Sequence, residues 1–349
     1  MKAAVFVAPG RMAMEEWPDP VCGPGDILIK VAACAICGTD IRIFRHGHHN
    51  VHPPQVIGHE VAGTIAALGA EVEGYRAGDR VTIMTEITDG TCEYCQQGRI
   101  NLCPALRAIG YHFPGGFAEY MLMPAAGVRS GNVLKLPECL SLNHATLVEP
   151  LSCCLNGQMH LGIGVGSTVV VVGAGPVGCM HAELARAQGA TKVILADVLP
   201  GRLALARQFA VDVLIDSARE CLSDRVRQET DGRGADVVIV ACSAGQAQEE
   251  AVEYTARGGR ISFFGGLPKE SPHISLNSNL IHYKEISVHG AFASAGNHYR
   301  QALAFLAAGK LDAARLVSHS FPLDSILEAF AVAGSGEGLK TIVTPWGGD

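Results

Sequence analysis

Three cysteines and one aspartate fall at Asp89-x2-Cys92-x2-Cys95-x7-Cys103 in the stretch DGTCEYCQQGRINLC. Thiolates so spaced suit a tetrahedral metal. Zinc also takes a carboxylate oxygen at about the distance of an imidazole nitrogen, so a closed site of three thiolates and one carboxylate is chemically sound. Asp is shorter and harder than a thiolate, which predicts a zinc held less tightly than by four cysteines; an empty or oxidised lobe is the alternative.

A second signal is GAGPVG, in which Gly173, Gly175 and Gly178 form G-x-G-x-x-G around Pro176 and Val177. It directly follows the apolar run STVVVV and directly precedes a helical pattern, the setting in which those glycines allow a tight turn and a close approach to a pyrophosphate. Free N–H groups at the helix start would stabilise that anion. Asp197 ends the next strand, roughly 20 residues beyond the glycines, where a carboxylate accepts from both ribose hydroxyls and disfavours a 2′-phosphate. The expected cofactor is NAD(H). Arg202 could stack on adenine or tolerate a phosphate; otherwise it is a solvated helix arginine.

A third group is dispersed. Cys37 lies in CAICGTD, His59 and Glu60 in VIGHEVAG, and Glu149 in LVEPLSCC. Singly, each has an ordinary structural reading. Together, in a chain that binds a nicotinamide cofactor, they supply thiolate, imidazole and carboxylate for a zinc with one position open to substrate.

These groups must be held by two kinds of architecture, and the chain changes grammar near residue 150. Before it, β-rich segments such as AAVFV, DILIKVAACAI, EVAGTIAALG and DRVTIM alternate with Gly, Pro and Asp turns, predicting an antiparallel, barrel-like domain. After it, strand and helix patterns alternate through EISVHGAF, predicting right-handed βαβ units and a doubly wound parallel sheet. The last sixty or so residues carry two helix patterns and the strand KTIVTP, expected to return to the first domain. The loops CSAG, FFGGLP and HGAFAS, through Ser243, Gly265, Leu267, Ala291 and Phe292, are candidate contacts for the nicotinamide half, with ordinary strand-end turns as the alternative.

Composition bounds the function. The chain has 349 residues, 48% hydrophobic and 17% charged, with 41 glycines and a formal net charge of -7. That length predicts two domains and the composition a well-buried α/β protein. The acidic balance and the lack of long basic runs argue against nucleic-acid binding. No apolar stretch is long enough to span a bilayer, and the N-terminus reads as a strand and turn, not an export signal, so a cytoplasmic protein with reduced cysteines is expected.

The motifs GHEVAGTI, CGTD, the cysteine lobe, EPLSC and GAGPVG occur in the order seen in zinc-dependent medium-chain dehydrogenases, and the chain most resembles the sorbitol (L-iditol) and L-threonine dehydrogenase branch. The resemblance implies a GroES-like β-rich catalytic domain over residues 1–150 with a zinc lobe at 86–104, a Rossmann NAD-binding domain over 151–290, and a return to the catalytic domain over 291–349. It also implies an active site in the cleft between the domains, a dimer or tetramer, and an alcohol or ketone as the small-molecule substrate. Cys37 and His59 carry over as zinc ligands, and Glu60 and Glu149 as acids that bind zinc directly or through water. The acid of EPLSC stands where alcohol-specific relatives have a cysteine, which favours polyol-like substrates, with a hydroxy amino acid as the alternative. Thr39 carries over as the hydroxyl that bonds the substrate oxygen; from sequence alone a helix N-cap fits it equally. Five residues after Cys37, where many members have a proton-relaying histidine, this chain has Arg42, which cannot release a proton at working pH. His46, His48, His49 and His52 follow on a loop near the expected cleft, with Phe44 and Arg45 as further candidate lining; a cofactor-binding relative without catalysis is the rival reading.

Overall fold

The computed structural model describes residues 1–347. The chain forms two compact units: Met1–Ser152 together with the residues from Ser294 onward, and Cys153–Ala293.

The first unit is built on strands. β1 (Lys2–Ala8) pairs antiparallel with β2 (Arg11–Glu16) and with the short β4 (Gln55–Val56). The larger sheet runs β10-β6-β5-β3-β18-β17, with β9 also on β3; these are Val133–Lys135, Arg80–Ile83, Glu60–Leu68, Ile27–Ala35, Lys340–Thr344, Val317–Pro322 and Tyr120–Met123. Alternation explains the strands: along β3, Ile27, Ile29, Val31 and Ala33 are fully buried while Lys30 is exposed. One departure from the antiparallel expectation is the C-terminal pair, where β17 and β18 lie parallel. The helix Ile326–Ser335 lies between them in sequence, and parallel neighbours require such a crossover. β7 (Glu86–Ile87) and β8 (Arg107–Ala108) form a separate ladder at the root of the cysteine lobe.

The second unit is a six-stranded, all-parallel sheet in the order β13-β12-β11-β14-β15-β16, that is, Val213–Asp216, Lys192–Asp197, Thr168–Val172, Ala235–Val240, Thr255–Phe263 and Ser287–Gly290. This is the 3-2-1-4-5-6 doubly wound order, whose switch point lies between the first and fourth strands. β11 and β14 are continuous Val/Ile runs because a central parallel strand is covered on both faces: Val169, Val170, Val171, Val237, Val238 and Ile239 are all fully buried.

Candidate functional site

In the first unit, strand register brings the dispersed group together. Ala35 at the end of β3 is opposite Glu60 at the start of β5, so Cys37, which caps the helix Gly38–His46, meets His59 and Glu60. One ligand atom from each of the three lies within 4.8 Å of the others. Asp40, fully buried on the first turn of that helix, accepts the Cys37 N–H through Oδ2 at 2.9 Å and sets Oδ1 3.4 Å from His59 Nδ1. With Nδ1 turned to a carboxylate, Nε2 is the nitrogen left to hold an ion, the usual second-sphere arrangement for a ligating histidine. β18 lies on the other side of β3 and contributes Lys340, only 2% exposed, whose Nζ donates to Glu60 Oε1 at 2.7 Å and to the Ile36 carbonyl at 3.3 Å. Glu60 Oε2 has no hydrogen-bond partner. Glu149 is buried at the start of the helix Val148–Gln158 and stands outside the close trio.

The electrostatics of this region call for a cation. Among the described residues, four carboxyls, Asp40, Glu60, Glu86 and Glu149, are buried here, against Lys340 as the one buried lysine or arginine. Burial raises the pKa of Glu60 against the pull of Lys340 and His59, and raises Glu86 against its bond from Tyr299. Burial also lifts Glu149 to about 7, with His59 opposing and Glu60 and Glu86 adding to the rise. For His59, burial works to lower the pKa, but the Asp40 carboxylate and others outweigh it and hold it well above the ordinary histidine value. Lys340 is likewise penalised by burial, yet Glu60 keeps its pKa above the usual lysine range. A dication among a thiol, an imidazole and these carboxyls would offset much of the buried negative charge, so the donor set fits zinc.

Several neighbours of the trio carry little or no signal in the sequence. Tyr111 places its ring centroid 5.6 Å from that of His59 and 5.3 Å from that of His48, which in turn stacks on His49 at 4.3 Å. Tyr299 donates to Glu86 Oε2 at 2.9 Å and its hydroxyl lies 2.9 Å from Thr85 Oγ1. Asp40 was visible in CGTD; the others depend on contacts remote in sequence. Thr39 is not the N-cap, because Cys37 holds that position; the Thr39 Oγ1 instead accepts from Arg42 Nη2 at 3.2 Å.

The lobe brings one ligand atom each from Asp89, Cys92, Cys95 and Cys103 within 4.8 Å of one another. Cys92 caps the short helix Glu93–Gln96, and Gly90 and Gly98 turn the chain with φ of 69° and 74°. Asp89 Oδ1 accepts the N–H groups of Thr91 at 2.8 Å and Cys92 at 2.9 Å. Those bonds, with further ones from Cys103 and Cys95, hold its carboxyl down at about 2. Burial first, and then the crowding of the neighbouring thiols, raises Cys95 to about 11. A fixed carboxylate facing three crowded thiols fits a closed zinc site.

In the second unit the glycine motif occupies the turn from β11 into the helix Pro176–Ala187, whose N-cap is Gly175. Gly173 has φ of 110°, and a Cβ on Gly178 would lie 1.7 Å from the Gly173 carbonyl oxygen, so helix and turn touch backbone to backbone. Pro176 and Val177 open the helix, where Pro lacks only an N–H that would have been orphaned. Asp197, at the end of β12, accepts the Ala174 N–H at 2.7 Å and the Leu199 N–H at 2.8 Å, one on each oxygen. A carboxylate has about four acceptor sites, so ribose hydroxyls can still bind. The Arg202 guanidinium lies over the turn, its Nη1 3.9 Å from where a Gly175 Cβ would be, and its buried Nε has no partner. Ser243, Gly265, Leu267, Ala291 and Phe292 follow the C-terminal ends of β14, β15 and β16, the edge at which such sheets bind ligands. Gly265 is required by close approach, since a Cβ would meet the Cys242 carbonyl oxygen at 2.2 Å. Asn156 Nδ2 pins the loop by donating to the carbonyls of Phe292 at 3.2 Å and Ala293 at 2.9 Å.

Comparison with known proteins agrees with this geometry. Residues 23–138 match the model of the alcohol dehydrogenase GroES-like domain, and residues 176–308 match that of zinc-binding dehydrogenases. The sorbitol dehydrogenase of Bacillus subtilis (strain 168) is 34% identical, covering 99% of this chain and 97% of its own length. The L-threonine 3-dehydrogenase of Chelativorans sp. (strain BNC1) is 33% identical over 98% of both chains. A zinc-binding dehydrogenase from Sinorhizobium meliloti 1021, solved bound to NADP, superposes with a TM-score of 0.92 at 32% identity over 99% of each chain. End-to-end likeness of this degree, on a fold that supplies both a zinc-competent trio and a dinucleotide turn, places the chain in the zinc-dependent medium-chain dehydrogenase family.

Proposed function

We propose that this protein is a zinc- and NAD-dependent oxidoreductase that interconverts a secondary alcohol and its ketone, with a polyol, sugar alcohol or cyclitol as substrate. The observation that carries the reading is the convergence of Cys37, His59 and Glu60 to within 4.8 Å. In this reading Cys37, His59 and Glu60 would hold the catalytic zinc, with Glu149 as a further acid that serves it directly or through water. Asp89, Cys92, Cys95 and Cys103 hold the structural one. When bound, zinc would supply Lewis-acid polarisation of an alcohol oxygen and the nicotinamide would supply a hydride acceptor.

The remaining work belongs to the chain's own groups. Asp40 fixes the His59 ring, and Lys340 engages one oxygen of Glu60 while the other has no hydrogen-bond partner. Thr39 offers a hydroxyl to the reacting oxygen. Asp197 selects a free ribose diol and so favours NAD over NADP, while the helix start at Gly175–Gly178 receives the pyrophosphate. The catalytic domain then comprises residues 1–150 and 291–349, and the cofactor domain 151–290. A homodimer or homotetramer is consistent with β16, which ends the sheet with an open edge and an exposed Val288. Among the described residues no helix is long and apolar enough to cross a membrane, and none of the twelve cysteines is in a disulfide. The two proposed zinc sites require reduced thiols, and a cytoplasmic location fits that requirement.

The test is absorbance of reduced nicotinamide during incubation of the zinc-loaded protein with NAD and a panel of polyols, cyclitols and L-threonine, with and without chelator. Chelator-sensitive turnover of a polyol supports the proposal. Turnover of threonine alone moves the substrate class to hydroxy amino acids, and no turnover across the panel counts against an alcohol dehydrogenase.

A further inference from the structure

The first turn of the helix Gly38–His46 faces two ways. Asp40 turns inward to the Cys37 N–H and the His59 ring, and is fully buried. Thr39 is half-buried and Arg42 exposed, and the Arg42 guanidinium donates through Nη2 to Thr39 Oγ1 at 3.2 Å. A hydroxyl carries one hydrogen and two lone pairs, whereas a guanidinium carries only donors. This contact therefore has one polarity: Arg42 gives, Thr39 receives. The Thr39 hydrogen cannot point at residue 42. Without that donor the lone pair is open, and nothing bars the hydroxyl from rotating its hydrogen toward that side.

We propose that Arg42 is a positioning residue that acts through Thr39. By occupying one Oγ1 lone pair it leaves the hydroxyl hydrogen directed away from the guanidinium, and makes Thr39 a fixed donor to the substrate oxygen. The inference rests on the proposed alcohol oxidation, in which that oxygen gains negative charge as its proton leaves; a preset donor and a permanent cation one bond behind it both favour that charge. Because arginine accepts no proton, the proton lost by the alcohol goes to solvent water and not to residue 42.

A double-mutant cycle tests this with Thr39→Val, Arg42→Ala, the pair together, and Arg42→Lys, using the best alcohol found in the panel. Arg42→Ala is expected to lower kcat about tenfold while KM for the alcohol stays within about twofold, the pattern of a contact made mainly in the transition state. In the Thr39→Val background the same change is expected to cost less than about twofold, because its partner is gone. Arg42→Lys, which still donates, should recover most of the loss. Equal losses in both backgrounds, or a loss confined to KM, would overturn the proposal. A crystal structure of the full chain gives a reading independent of turnover: Arg42 Nη2 within hydrogen-bond distance of Thr39 Oγ1 supports it, and a guanidinium turned elsewhere overturns it even if no alcohol in the panel is oxidised. Silence across the panel with the contact intact would count against the alcohol chemistry alone.

Discussion

Replacing Lys340 by methionine tests the reading of the buried charges most sharply. Lys340 Nζ lies 2.7 Å from Glu60 Oε1, with the two side chains 3% and 0% exposed. At an effective dielectric of about 20 their attraction is about 6 kcal/mol, most of it offset by desolvation of the two ions. The pair's net contribution is therefore small, but removing one partner leaves the other buried and uncompensated, which costs about 3–5 kcal/mol. Lys340→Met should destabilise the first unit by that amount, whereas Glu60→Gln with Lys340→Met should return to within about 1.5 kcal/mol of the parent. Both tryptophans, Trp17 and Trp346, belong to this unit, so urea unfolding followed by their fluorescence in chelator reads it selectively. A loss below about 1 kcal/mol for the single variant, or a double variant no more stable than the single, would refute the reasoning. Zinc should recover part of the loss in Lys340→Met, since a second cation then takes over the Glu60 carboxylate.

Three further outcomes follow from the geometry. Asp89→Ala should release the lobe zinc at least about tenfold more readily to a chromogenic chelator, and Asp89→Cys should hold it more tightly, with the trio's metal unchanged in both. Gly178→Ala would force a Cβ to 1.7 Å from a carbonyl oxygen and should abolish NAD binding measured by fluorescence titration, while Gly201→Ala, with nothing within 4 Å, should bind normally. His181 is fully buried, and burial lowers its pKa to about 3, below its unfolded value of about 6.5. The fold therefore favours the neutral ring, so stability is complete above pH 6.5 or so and is lost as pH falls toward 3, by about 2 kcal/mol at pH 5. His181→Gln should flatten that slope in urea titrations at pH 7 and pH 5.

The parallel sheet was legible because each of its strands is followed by a local helix pattern and because GAGPVG must sit at a strand–helix turn. The trio was legible only through residue type, since the register Ala35–Glu60 that joins it belongs to the pairing of β3 with β5. Lys340 opens the strand KTIVTP with no local sign of burial; its partner Glu60 lies 280 positions away, and nothing local distinguishes a buried cation from an exposed one. Tyr111 was hidden for the same reason. Thr39 was read as a possible cap because its hydroxyl chemistry suits one, but the chain enters the helix two residues earlier, at Cys37. The strand β17 and its parallel placement on β18 carry no local signal, because VSHSFP, half exposed, lacks a strong strand pattern.

Anomalous diffraction above the zinc edge, from crystals grown with zinc and NAD, addresses the metal assignment most directly. The account predicts a peak about 2.3 Å from Cys37 Sγ and about 2.1 Å from His59 Nε2, with a Glu60 oxygen facing it. A map without a peak there, or with Cys37 and His59 side chains turned apart, would contradict it.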